Sequence, residues 1–238
     1  MSTGTYTSHK RWALAVDIGG TKVAAAAFGE DGKQLTPIAR RPLPPGGGER
    51  AWHATEQAVA EVLQAMGTGP VAIGVSVAAV VDHETGTVIW APNLPGWQGF
   101  PLASRLADRF GSRVRLDLDG HLAVLGEAWL GAGRGTANVA MMVVGTGIGG
   151  GVLVDGRLVR GAAGLAGTFG WMAGGPVGAE PYPGWQEKCR QVGWLESLAA
   201  GPAILARARH LAARAKPPGA ATSPGKTGGD GGPVGSGL

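Results

Sequence analysis

The chain reads as an α/β protein in two lobes, and three observations predict it. Two glycine-rich loops, Asp17-Ile18-Gly19-Gly20-Thr21-Lys22 and Gly145-Thr146-Gly147-Ile148-Gly149-Gly150-Gly151, lie far apart in the chain. Each follows an apolar strand-like run, Trp12 to Val16 and Val139 to Val144. A strand-hairpin-helix theme then occurs twice. Two such loops facing each other would grip one ligand between the lobes.

Taken in order, Lys22 to Phe28 predicts a strand, Asp31-Gly32 a hairpin turn, and Lys33 to Ile38 the returning strand. Arg41 to Gly48 reads as a Pro/Gly loop. From Glu49 to Met66, Trp52, Val59, Val62, Leu63 and Met66 recur at helical spacing, and Gly67 stands where a helix stops. Val71 to Val81 is an almost unbroken apolar run, which predicts a central strand covered on both faces. Leu102, Leu106 and Phe110 form a helical stripe between Pro101 and Gly111. A strand follows from Val114 to Asp117, then a helix from about His121 to Leu130. Beyond the second glycine loop, Val152 to Val154, Asp155-Gly156 and Leu158 to Arg160 predict another hairpin. Residues 216–238 turn abruptly to Pro, Gly, Ser and Thr, a composition that cannot offset the entropy of ordering, so a disordered tail is expected.

Composition narrows the function. The formal charge of the 238 residues is +4, and the Lys and Arg residues are scattered, with no aromatic-and-basic platform for nucleic acid. One cysteine, Cys189, excludes an intramolecular disulfide and suits a reducing compartment. A short polar start, residues 1–11 and expected to be flexible, carries no signal-peptide or membrane-span pattern. A cytoplasmic protein without a membrane partner is the expectation.

Glycines at turns permit positive φ and leave backbone N–H groups bare, so a phosphate can approach them. Asp17 and Thr21 flank the first loop with groups suited to hydrated Mg2+ and to phosphate oxygens. Tight hairpins use the same residues for turn geometry alone. Neither the Walker pattern nor the dinucleotide-binding G-x-G-x-x-G is present.

Together these residues resemble the ROK family (repressor, open reading frame, kinase), whose enzymes are bacterial hexose kinases of the actin-like ATPase (ribonuclease H-like) fold. The likeness rests on DIGGTK at 17–22, APNLPGW at 91–97, LGEAWLGAGRG at 125–135, GTGIGGG at 145–151 and LESLAAG at 195–201. The glucokinase-like branch is the closer, since residues before Trp12 leave no room for a repressor's helix-turn-helix domain. The resemblance implies a first lobe over 12–130 and a second, incomplete lobe over 131–215. It implies ATP and Mg2+ as cofactors, held by Asp17, Gly19, Gly20, Thr21, Lys22, Gly145, Thr146, Gly147, Gly149 and Gly150. The family's E-N-D-A-N segment corresponds to Asp117-Leu118-Asp119-Gly120-His121, which makes Asp119 the base that takes the proton of the attacking hydroxyl. A helix N-cap is the plainer role for the same residue.

The substrate wall implied by the resemblance comprises Asn93, Asp119, Glu196, Ala79, Leu118, Thr168 and Trp171. Asn93 and Glu196 keep the family identities, while Ala79, Leu118, Thr168 and Trp171 depart from them. Each lost hydroxyl contact costs about 0.5–1.5 kcal/mol, and three together on the order of 10²–10⁴ in affinity for an ordinary hexose. A sugar or cyclitol with fewer or differently posed hydroxyls is therefore expected, or a catalytically inactive relative that binds a ligand or partner. The family's zinc ligands correspond to Trp171, Glu187, Cys189 and Trp194, so no structural zinc is expected, and aromatic packing would take its place. Family members also continue past the L-E helix, into a segment that builds much of the adenosine pocket. A homodimer is compatible with the family pattern.

Overall fold

The computed structural model describes residues 11–44, 47–92, 94–175 and 180–215. The expected flexible start (1–10), Asn93 and the Pro/Gly tail (216–238) lie outside the described residues.

Alternating apolar residues build the first sheet. Strand β1 (Trp12–Ile18) pairs antiparallel with β2 (Lys22–Gly29), and β2 in turn with β3 (Ala39–Pro42). Helix α1 (Gly48–Met66) then leads to β4 (Ala72–Val77), parallel to β1. A short hairpin of β5 (Val80–Val81) and β6 (Val88–Trp90) precedes helix α2 (Leu102–Phe110) and β7 (Val114–Leu118), parallel to β4. The order is β3-β2-β1-β4-β7. Leu14, Val16 and Ile18, with Val23, Ile73, Val75 and Val77, point to one face and meet Trp52, Val59, Val62, Leu102 and Leu106 of the two helices. Trp97 stacks on Phe100 at 5.0 Å within that core. Both helices stop as expected, at Gly67 (φ 67°) and Gly111 (φ 65°), whose amides return to Leu63 and Ala107 carbonyls.

Two expectations for this sheet are corrected. Residues 33–38 do not return as a strand: only Gln34 bridges to Phe28, because Thr36 Oγ1 takes the Ala27 amide at 3.1 Å and Pro37 has no N–H to give. The pairing resumes at Ala39–Pro42, whose last two residues were expected in a loop. The apolar run after Val71 is not one strand covered twice. β4 ends at Val77, where the Ala78 amide crosses to Ile18, and its Gly74 is exposed on the face opposite the core.

Helix α3 (Asp119–Leu130) begins two residues before the expected point and lies on the second sheet, in order β10-β9-β8. That sheet comprises β8 (Val139–Val144), β9 (Ile148–Val154) and β10 (Arg157–Leu158). The Asp155-Gly156 turn is as expected, with both residues left-handed at φ 50° and 71°. The glycine motif differs. Only Gly145 to Gly147 form a loop, and Ile148-Gly149-Gly150-Gly151 are already strand. A 3-10 turn (Phe169–Trp171) and helices α4 (Trp185–Val192), α5 (Glu196–Ala199) and α6 (Gly201–Ala215) follow. Among the described residues no helix is long and apolar enough to cross a membrane.

Candidate active site

Parallel strands β1, β4 and β7 point their C-terminal ends the same way, and open α/β sheets bind ligands at such ends. A cleft of about 720 Å³ opens there, between the first sheet and the start of β9. Asp119 stands on its floor at the junction of β7 and α3. It is the first helical residue, and the cap position is Leu118 without a side-chain bond, so the N-cap role is not realised. One carboxylate oxygen accepts the Gly120 amide at 2.7 Å. The residue is open to the cleft, yet the surrounding walls remove enough water to raise its pKa. The charge of Asp17 adds to that rise, while the Gly120 amide and the charge of His121 oppose it.

The second glycine loop forms the facing wall, with Gly145, Thr146, Gly147, Gly149 and Gly150 all lining the cleft. Gly145 donates to the Gly147 carbonyl at 2.9 Å, and Ile148 donates to Glu196 Oε2 at 2.7 Å. Among the described residues the Thr146 and Gly147 amides donate to no protein acceptor. Two bare amides beside an acidic cleft suit a phosphate oxygen, which accepts where a carbonyl cannot reach. Glu196, expected to meet substrate, lines the cleft but spends one oxygen on holding this loop.

The first loop behaves otherwise. Asp17 lines the cleft and accepts the Ser76 hydroxyl at 2.8 Å, and among the described residues its second oxygen has no donor. Gly19, Gly20 and Thr21 do not reach the cleft wall, and Lys22 faces a neighbouring hollow of about 510 Å³ that Asp17 shares. No glycine of either loop adopts the positive φ that such turns permit.

Ala79, Leu118, Thr168 and Trp171 line the cleft together with Asp119. The Thr168 hydroxyl donates to Leu165 at 2.7 Å, so its proton is already engaged. Trp171 meets Trp90 edge-on, with centroids 6.4 Å apart, and Trp90 is a wall residue that sequence reasoning missed.

The ROK family model matches residues 13–224. The chain belongs to the ROK family. Glucokinase of Thermotoga maritima is 35% identical over 191 residues, covering 80% of this chain and 58% of that protein. N-acetyl-D-glucosamine kinase of Escherichia fergusonii is 33% identical, covering 78% and 61%. A ROK glucokinase structure from Streptomyces griseus, in complex with glucose and AMPPNP, superposes with a TM-score of 0.67 at 33% identity, covering 82% and 59%. The fold is thus the actin-like ATPase fold with a partial second lobe, and the chain spans under two thirds of these relatives' length.

Among the described residues of this ROK chain no cluster of three or more His, Cys, Asp or Glu is placed to hold a metal ion. Trp194 packs its ring over Gly174, but Trp171 is half exposed and turns to Trp90, so the two expected aromatic partners face different neighbours.

Sequence reasoning also missed a buried charge network directly beneath Asp119. Asp117 receives the Leu118 amide at 2.8 Å, His121 Nδ1 at 2.7 Å and Arg160 at 2.8 and 2.7 Å. Burial alone would raise its pKa, yet those donors outweigh burial and hold it below the ordinary carboxylate value. The i,i+4 spacing of Asp117 and His121 was the available signal.

Proposed function

We propose that this ROK chain carries the phosphoryl-transfer centre of a sugar kinase, acting on a hydroxyl of a sugar or cyclitol less polar than an ordinary hexose. The observation that carries the reading is a single cleft in which the Asp119 carboxylate faces the bare Thr146 and Gly147 amides, with Asp17 beside them. ATP with Mg2+ would supply the phosphoryl group. Thr146 and Gly147 would donate to phosphate oxygens, and the free Asp17 oxygen would hold a water of the hydrated ion. Asp119, ionised above its raised pKa, would take the proton of the attacking hydroxyl and align that oxygen.

The walls set the substrate. Leu118, Ala79 and Trp171 offer no hydrogen bond of the kind a carboxylate or imidazole gives a sugar hydroxyl, and Trp90 with Trp171 presents an aromatic lip suited to an apolar sugar face. We place the protein in the cytoplasm, without structural zinc and without nucleic acid. Binding of ATP would rest on the triphosphate and Mg2+ held at this cleft.

The test is ATP-dependent phosphorylation of a panel of hexoses, deoxysugars and cyclitols, by wild type and Asp119→Asn. Turnover lost by about 10²–10⁴ in the variant supports the base. Near-normal turnover removes Asp119 from the mechanism. The first glycine loop, standing off the cleft, favours a second reading, a ligand-binding relative without catalysis. Sugar binding by calorimetry with no phosphorylation of any panel member would select it.

A further inference from the structure

We propose that His121 is a positioning residue: as the imidazolium it latches the loop from Arg160 to Thr168 onto Asp117, coupling the substrate wall to the strand end that presents Asp119. The catalytic consequence rests on the kinase reading. The latch itself does not.

The ring is wholly buried, and each of its nitrogens faces an acceptor. Nδ1 lies 2.7 Å from Asp117 Oδ1, and Nε2 lies 2.7 Å from the Ala166 carbonyl oxygen. A neutral imidazole has one N–H and one lone pair, so in this setting it would aim a lone pair at one of those oxygens. Only the doubly protonated ring satisfies both. Burial of the ring opposes the charge, but the bonds to Asp117 and Ala166 and the charge of Asp117 prevail, and the pKa is raised.

What the ring holds is a loop closed on itself. Ala166 donates its amide to the Arg160 carbonyl at 3.0 Å, and the Arg160 guanidinium grips the other Asp117 oxygen. Arg160 and Ala166 are therefore both tied to one carboxylate, two residues before Asp119. Gly167 (φ 87°) then passes so close to β9 that a Cβ would stand 2.5 Å from the Gly150 carbonyl oxygen, and Thr168 enters the cleft wall. A loop held this way moves with the strand end.

Charged groups stand around the ring on several elements. Asp117 faces it from β7, Arg160 from the loop, Asp119 from its own helix, and His83, between β5 and β6, lies 3.8 Å from the same Asp117 oxygen. Because the folded pKa of His121 is raised, the latch is complete below the ordinary histidine value and is lost as pH rises through the raised one.

The experiment is a pH titration of histidine-labelled full chain by NMR, with His83→Gln separating the two rings, alongside amide exchange of residues 161–168. Expected is a His121 ring bearing both protons at neutral pH. Deprotonation above neutrality should raise exchange in the loop about tenfold beyond the intrinsic pH effect, the loss of one charge-assisted bond. In His121→Asn, which cannot donate at both ends, loop exchange should be fast at all pH values. On a substrate that turns over, KM should rise with pH through the same point while kcat changes little. A neutral ring at pH 7, or loop exchange indifferent to its titration, overturns the latch. Should His121→Asn fail to fold, the wild-type and His83→Gln titrations still decide. Absence of turnover on every sugar would sink the kinase reading and leave the NMR result standing.

Discussion

Two glycine-rich stretches of this chain look alike and are glycine-rich for different physical reasons. Around Gly19 the backbone is open, and a Cβ there would meet only the Lys22 carbonyl oxygen, at 3.7 Å. Around Gly150 there is no room at all. A Cβ would overlap the Met141 carbonyl of β8 and press the Phe169 ring at 2.7 Å. Gly151 lies as tightly against Val124 and Gly120 of α3, at 2.5 and 2.6 Å. At Gly150 and Gly151 the second stretch is thus a packing seam, where a helix and a strand come together backbone to backbone, while Gly145 and Gly149 stay open beside the cleft. The first is a turn on an exposed rim. Glycine in a motif does not distinguish an open turn from a backbone that must admit a helix.

The contrast can be broken or sharpened by substitution. The largest effect is expected from Asp117→Asn, which leaves His121 and Arg160 as buried or half-buried cations without their counter-charge: about 3–5 kcal/mol by urea unfolding at neutral pH. Its pH dependence has a definite sign. The pKa of Asp117 is lowered in the fold, so its stabilisation is present above the ordinary carboxylate value and is lost as pH falls through the lowered one. Wild type should therefore lose the seam in acid, and Asp117→Asn should show a flatter acid limb.

Next comes Gly150→Ala, which should cost about 3 kcal/mol because the clash is with backbone that cannot step aside. Unchanged stability would mean that β8 and the Phe169 ring are not held as described. Gly147→Ala should cost less, about 1 kcal/mol, since its Cβ would meet the Glu196 carboxylate end at 2.8 Å and that side chain can turn. A shift of Glu196 off the Ile148 amide should accompany it. Asp119→Asn should leave the melting temperature equal or higher. Its raised pKa means that the folded chain disfavours the ionised carboxylate at neutral pH, a penalty the amide removes. Smallest is Gly19→Ala, within about 0.5 kcal/mol of wild type. Should this variant nonetheless lose ATP affinity, the first loop must move onto the cleft when nucleotide binds.

Much of this was legible in residue order because the forces are local. Period-two alternation marks β1 and β2, the Trp52-Val59-Val62 stripe marks α1, and Gly67 and Gly111 stop their helices through a left-handed turn that favours glycine. Asp155-Gly156 is a turn for the same reason. The position of Asp119 was legible too, through the motif around it. The misreadings share a cause. Lys33 to Ile38 has strand composition, but one hydroxyl and one proline withdrew it from the ladder.

What tertiary structure alone decided are contacts between distant residues. Arg160 and Ala166 reach the 117–121 segment across 43 and 45 positions, and Glu196 reaches Ile148 across 48. No periodicity encodes such a pair, because its partner comes within hydrogen-bonding distance only after the sheets and α3 have packed. Residue order by itself determined β1, β2 and the strand before α3, the helix stops at Gly67 and Gly111, the glycine signatures and the family. Packing decided that Gly150 and Gly151 form a seam while Gly19 lies on a rim, that Glu196 holds a loop, and that a histidine is buried between two acceptors. Local propensity acts through neighbours in the chain, and burial acts through neighbours in space.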